Sequence, residues 1–326
     1  MATKLTDVAK LAGVSATTVS RVINNYGHLS QKTIDKVHAA MRELNYQPNS
    51  LARSLQGKKS QMIGVIFPSV RNPFFGELIE RIEKHLFNRN YKMILCNSEN
   101  DPVKEKEYLM MLGANQVDGI ITGSHNLGIH EYEKLKAHII SFDRDFGKGI
   151  PIVASDNFSG GKIATQALID SNAKEIGIIT GSNESNSPTK LRLEGYLSAL
   201  ESKNLEPRVF EFKSNVSSTL KKMEIQRILR TETLDAVFCT DDLTALMVIN
   251  AATEMGKKVP EDLKIVGYDG TFLIQQYSPN LSTILQPIDE LATLLVELIT
   301  RKIEEPEFVI EDKYILPVKL LHSETI

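Results

Sequence analysis

The 326 residues carry 42% hydrophobic and 24% charged side chains and a formal net charge of −3, an ordinary globular composition that excludes a disordered or fibrous chain. The length predicts roughly two or three domains. No apolar run is long enough to span a bilayer, and Met1-Ala2-Thr3-Lys4-Leu5-Thr6-Asp7 lacks the apolar stretch of a signal peptide, so a soluble, cytoplasmic chain with no membrane partner is expected.

Residues 1–59 hold nine Lys/Arg against three acids, which puts this head at +6 and the remainder at −9. A basic head on an acidic body is the pattern of a nucleic-acid module joined to something else, although Lys-rich helix faces are often merely solvated.

Apolar spacing predicts three short helices in the head. Thr6 is expected to cap the first, which runs to Ala12 and stops at Gly13; Ser15 caps a second over Ala16 to Asn24. Two short helices separated by a glycine turn form a helix-turn-helix pattern. Ser30 caps a third helix, striped by Ile34, Val37, Met41 and Leu44. Next, Asn49 can cap one or two turns that Gly57 ends, a helix too short to hold in isolation because nucleation is costly.

From Met62 the pattern changes to apolar strands alternating with amphipathic helices, which predicts parallel α/β packing. Strands are expected at 62–67, 92–96, 119–121, 139–142, 152–155, 176–180, 236–239 and 264–268. Helices are expected at 76–88, 161–170, 192–202, 220–230 and 242–255. So many strands imply two doubly wound sheets, with ligands outside the carboxyl ends of the strands. Cys96 and Cys239 fall inside strand runs and read as small buried hydrophobes, not a disulfide or metal pair.

In the head, the outward positions at the start of the second helix are Ala16, Thr17, Ser20 and Arg21, where a recognition helix reads base edges. Arg21 can fork onto guanine and Thr17 can reach a base or its methyl group. Thr6, Ser15, Asn24, His28, Ser30, Thr33 and Tyr46 suit phosphate contacts, which fix register without reading sequence. The competing reading is a helical pair that packs only protein.

The run from Leu5-Thr6-Asp7-Val8-Ala9-Lys10-Leu11-Ala12-Gly13-Val14-Ser15 to Asn24 closely resembles the signature of the lac repressor/galactose repressor family. The likeness continues through Met41–Asn49, Ile63-Gly64-Val65-Ile66, Asn72-Pro73-Phe74-Phe75, Gln116–Ile121 and Val266-Gly267-Tyr268-Asp269, so it covers nearly the whole chain. Ser124-His125-Asn126-Leu127-Gly128-Ile129 and Asn186-Ser187-Pro188-Thr189 look most like sucrose-operon repressors of Gram-positive bacteria.

The resemblance implies an all-α helix-turn-helix domain (1–46), a hinge helix and linker (47–59), and a periplasmic-binding-protein-like α/β core (60–326) of two doubly wound subdomains, about 60–156 with 287–315 and about 157–286 with 316–326. It places Asn49, Ala52 and Leu55 at the minor groove, with Leu55 wedging into a base step; the plainer reading makes Leu55 a contact between hinge and core. For the core it implies effector contacts at Asp143, Arg192, Asp241, Asp242 and Asp269, with Phe74 as an apolar wall. Carboxylates that accept hydroxyls and an Arg that donates to them make the hydrogen-bond vocabulary of a polyol. Any one of these acids can instead cap a helix or pair with Lys.

There are departures from the family pattern. The chain has no Trp, so the lac repressor's stacking Trp is absent and the effector cannot be carried over. Ala16 and Thr17 are smaller than their lac repressor counterparts, so a different operator is expected. With no heptad extension after Leu321, a homodimer on a palindromic operator is expected, not a tetramer. No His-Glu-x-x-His, phosphate-loop or Gly-x-Ser-x-Gly pattern occurs, Ser159-Gly160-Gly161-Lys162 lacks the phosphate-loop spacing, and the seven His show no ligand spacing, so neither catalysis, a metal nor a cofactor is expected.

The reading is therefore a repressor of a sugar-utilisation operon, sucrose by resemblance, released by a small sugar or sugar phosphate. The alternative is a global catabolite regulator with a phosphocarrier protein as corepressor.

Overall fold

The computed structural model describes residues 3–23, 26–46, 59–124, 126, 128–135, 137–147, 149–181, 187–213 and 216–326. Asn24 and the hinge positions Asn49, Ala52 and Leu55 lie outside them. The chain divides into two compact units, Met1–Ser60 and Gln61–Ile326.

The first unit is built from α1 (Leu5–Ala12), α2 (Ala16–Ile23) and α3 (Gln31–Glu43). Thr6 is not the cap of α1. Lys4 takes that place, its N–H donating to the Asp7 carboxylate at 2.8 Å, because an acid three residues on satisfies a free amide and favours the helix start as well as a hydroxyl does. Gly13, at φ +66°, closes α1 in the left-handed turn that glycine adopts without cost. Ser15 and Ser30 accept the N–H groups of Thr18 (3.1 Å) and Thr33 (3.3 Å), the caps expected of them. Val8, Val19 and Val37 fill the centre, with Ile34, Met41 and Leu44 packed around it.

In chain order the second unit runs β1 (Met62–Phe67), α4 (Pro73–Asn88), β2 (Lys92–Asn97), α5 (Pro102–Ala114), β3 (Gly119–Thr122), α6 (Ile129–Glu133), β4 (His138–Phe142), β5 (Ile152–Ser155), α7 (Asn157–Asp170), β6 (Ile176–Gly181) and α8 (Pro188–Glu201). There follow β7 (Arg208–Phe212), α9 (Ser218–Thr231), β8 (Ala236–Cys239), α10 (Asp242–Glu254), β9 (Lys264–Asp269), α11 (Phe272–Tyr277), β10 (Ser282–Leu285), α12 (Ile288–Glu304), β11 (Lys313–Leu316) and β12 (Lys319–Leu321). All eight expected strands are present, each end within one residue of its predicted place.

Two six-stranded sheets result, ordered β11-β5-β4-β3-β1-β2 and β12-β10-β9-β8-β6-β7. The first is wholly parallel; in the second only β12 runs antiparallel, against β10. Helices cover both faces, so the strands read as continuous Ile/Val runs. Among the described residues, α4 and α12 bury Leu78, Ile82, Leu295 and Ile299 against one face of the first sheet. On the second sheet, α9 and α10 bury Ile225, Ile228 and Val248, while α7 and α8 bury Leu168, Tyr196 and Leu200 on the opposite face. Cys96 and Cys239 are buried and unpaired.

Candidate functional site

The chain passes between the sheets three times: from β5 to α7 at Asp156, from β10 to α12 at Gln286-Pro287, and from β11 to β12 at Pro317-Val318. Polar side chains collect where these crossovers meet the carboxyl ends of the strands, the end at which open α/β sheets bind ligands.

Arg192, on α8, is the centre of this cluster. Its Nε donates to Asn157 Oδ1 at 2.8 Å, one terminal nitrogen donates to the Thr240 carbonyl at 2.6 Å and lies 3.8 Å from Asp269, and the guanidinium stacks 3.6 Å from the Tyr268 ring centroid. Two glycines put it there. A Cβ on Gly161 of α7 would overlap the Arg192 carbonyl, and one on Gly195 of α8 would overlap the Phe158 carbonyl. Only bare backbone allows the two helices to cross this closely.

Asn157 passes the interaction on, donating to Asp143 at 3.1 Å and to the Ser155 carbonyl at 3.0 Å. Gln286 closes the circle: it accepts from the Ser155 hydroxyl at 2.7 Å and donates to Asp269 at 2.8 Å. Asp143 and Asp269 both have positive φ, +56° and +116°. The second is a backbone conformation that L-residues rarely adopt, and such outliers gather at functional sites. Burial pushes the Asp143 carboxyl up to about 6, against the pull of Arg192 and the Asn157 amide. Burial likewise raises Asp269 well above the ordinary carboxylate range, with Arg192 opposing. The cluster thus offers buried acceptors and a fixed guanidinium, which suits a ligand rich in hydroxyls.

The sequence-predicted residues separate here. Asp143, Arg192 and Asp269 come together. Asp241 caps α10, accepting from Thr244 N at 2.7 Å and Oγ1 at 2.6 Å, and lies 3.8 Å from Lys221, so it has both of the alternative roles open to it. Asp242 accepts from Gly270 N at 2.7 Å and Thr283 Oγ1 at 2.5 Å, tying α10 to the strand ends; burial lifts its carboxyl to about 7. Phe74 is 4% exposed in the first sheet's core, between Phe75 and Phe142, and the more accessible ring is Phe75. Asn157, Gln286 and Tyr268 were not among the predicted contacts. A cavity of about 340 Å³ opens beside the cluster, lined by Asp143, Ser155, Asn157, Ser187, Lys190 and Glu194, within the size range of small-molecule sites.

In the first unit Thr17 and Arg21 are exposed on α2, Ser20 is half-buried, and Ala16 packs partly against the core. Thr6, Ser15, His28 and Ser30 are exposed; Thr33 and Tyr46 are half-buried. The Ser15 and Ser30 hydroxyls bond to the Thr18 and Thr33 hydroxyls, each at 2.9 Å, within their caps.

Residues 4–49 match the lacI family of bacterial regulatory proteins and residues 165–325 a periplasmic binding protein-like domain. The chain is 55% identical over 325 residues to the sucrose operon repressor of Pediococcus pentosaceus, covering 100% of both chains. It belongs to the lacI family. A second relative, the sucrose operon repressor of Streptococcus mutans serotype c, is 50% identical over 326 residues, again covering 100% of each chain. The structure of the lac repressor dimer bound to operator and the anti-inducer ONPF matches this lacI-family chain with a TM-score of 0.86 at 27% identity, over 100% of this chain and 99% of that one. The helix-turn-helix head and the periplasmic-binding-protein-like core expected from the sequence are thus the architecture of a lacI-family member. No described helix is long and apolar enough to cross a membrane.

Proposed function

We propose that this lacI-family chain is a cytoplasmic repressor of a sucrose-utilisation operon that binds a palindromic operator as a homodimer and is released by a small sugar or sugar phosphate. The full-length identity to sucrose operon repressors carries this reading, and relatives acting on one operon do not favour a global regulator. Ala16, Thr17, Ser20 and Arg21 on α2 read bases. Thr6, Ser15, Asn24, His28, Ser30, Thr33 and Tyr46 hold phosphates, and Asn49, Ala52 and Leu55 enter the minor groove.

The two sheets are the two subdomains, and the sugar binds between them at Asp143, Arg192 and Asp269, with Asn157 and Gln286 orienting these groups. The sugar favours one relation of the subdomains and operator affinity falls by its preference for that arrangement. For the homodimer, α9, α10 and α11 each expose large apolar side chains, Leu220, Met223, Leu243, Leu273 and Tyr277, the last at 81%, which are candidates for burial at an interface. No catalytic step is assigned to the chain.

The deciding experiment is operator binding by fluorescence anisotropy at fixed salt, titrated with sucrose, sucrose 6-phosphate, fructose and glucose phosphates. Release by one of them is the expected result. Operator binding that no sugar weakens overturns the induction reading, and absence of specific DNA binding overturns the whole.

A further inference from the structure

Among the described residues and away from the crossovers, one hydrogen bond joins the two subdomains across 195 residues of sequence: the Phe272 N–H donates to the Glu77 carboxylate at 2.7 Å. Glu77 is on α4, packed on the first sheet; Phe272 opens α11, on the second. The Phe272 ring itself is 61% exposed, so the attachment is made by the backbone. Glu77 is held from behind by Arg81, which lies 3.9 Å from it and 4.0 Å from Asp289. Asp289 sits in the first turn of α12, directly after the Gln286-Pro287 crossover.

Phe272 is three residues from Asp269, and the intervening turn is tied down by hydrogen bonds. Asp269 and Gly270 have φ of +116° and +61°, Gly270 N–H is bound by Asp242 at 2.7 Å, and the buried Thr271 caps α11 through Ile274 N at 3.3 Å. One end of this turn thus aims a carboxylate at the sugar site and the other aims an amide at the opposite subdomain. These ties couple the position of Asp269 to that of the Phe272 amide.

We propose that Glu77 and the Phe272 amide form an inter-subdomain latch coupled to the sugar site, and that Glu77 thereby sets the balance between the operator-binding and sugar-binding arrangements of the core. The coupling to sugar rests on the repressor reading above; the latch itself does not. Glu77 is outside the proposed sugar and operator contacts and acts as a positioning residue.

A latch that favours one of two arrangements has a signature that mere damage lacks. Operator and sugar prefer opposite arrangements, so opening the latch must move their affinities in opposite directions. In the full-length protein, Glu77→Ala is expected to change the operator dissociation constant, measured without sugar, and the dissociation constant of the releasing sugar, measured without DNA, by about fivefold or more and with opposite sign. Glu80→Ala, an exposed change on the same helix, is expected to change neither. Hydrogen exchange on the free protein reads the latch directly, with the Phe272 amide exchanging faster in Glu77→Ala. Unchanged exchange overturns the latch, and affinities that stay put or weaken together overturn the coupling. Should the wild-type protein respond to no sugar, the repressor reading fails while the exchange result still decides the latch.

Discussion

Asp143 and Arg192 are joined not by an ion pair but by a single amide, that of Asn157, whose oxygen accepts from the guanidinium at 2.8 Å and whose nitrogen donates to the carboxylate at 3.1 Å. Asn157→Ala removes a partner from each group inside a buried network. An unsatisfied buried group costs about 1–3 kcal/mol, so melting is expected to fall by roughly 5 °C and sugar affinity to drop, with operator binding in the absence of sugar retained. Calorimetry and operator anisotropy check this, and an unchanged melting point would exclude the bridging role.

The raised Asp143 carboxyl predicts a pH dependence whose sign is fixed. Its folded value of about 6 exceeds the ordinary 3.8, so the folded chain holds this proton more tightly than the unfolded one. The stability that results is full below about 3.8 and is lost as the pH rises through about 6. Asp143→Asn, which stays neutral, should flatten the fall in melting temperature between pH 4 and 6. Sugar binding has the opposite sense: hydroxyls donated to the ionised carboxylate should bind more weakly as the pH drops below about 6. A sugar titration across that interval that shows no change would remove Asp143 from the contact set.

Gly161 and Gly195 set the α7–α8 crossing from which Arg192 reaches the site. A Cβ on either meets backbone, which cannot turn aside as a side chain can. Gly195→Ala is therefore expected to destabilise the core by at least the 1–3 kcal/mol typical of overpacking, and to weaken sugar binding further in whatever protein still folds. Urea unfolding measures the first effect; a wild-type midpoint would show that the crossing has room to spare.

On the DNA-binding unit, base readers and phosphate holders should separate by specificity. Arg21→Ala is expected to cost about 1–3 kcal/mol on the cognate operator and to relax preference at the base it reads, whereas His28→Ala weakens every sequence alike. Competition anisotropy against operators substituted one base pair at a time distinguishes the two. Equal loss on all sequences for Arg21→Ala would assign it to the backbone instead.

What the sequence made legible follows from how strongly each segment is constrained. Strands buried on both faces, such as Ile63-Gly64-Val65-Ile66 or Ala236-Val237-Phe238-Cys239, leave continuous apolar runs and were readable to within a residue. β7, with alternating burial at the sheet edge, and the short β10, β11 and β12 carry no such run and were missed. α12 also lies outside the expected set, although Glu290, Thr293, Glu297, Arg301 and Glu304 form the polar stripe of an amphipathic helix opposite the buried Leu291, Leu295, Leu298 and Ile299. The site shows the same division. Charged residues at the ends of recognised strands stood out, while Gln286 follows a strand that was not recognised and Asn157 is one amide among many. Asp241 and Asp242 look alike in sequence, and only the geometry separates a helix cap from a tie to the strand ends.

The last crossover bears on the order in which this chain can be completed during synthesis. β11 and β12, from residues 313–321, are the outermost strands on one side of each sheet, and each lies against a strand made earlier. Until they emerge, β5 and β10 both present an open edge, the kind of surface that recruits other chains. The three helices of the head by contrast are complete once residue 46 has been made. A ribosome-bound chain therefore carries its helix-turn-helix well before both sheets of its core can close, and premature termination would release the former without the latter.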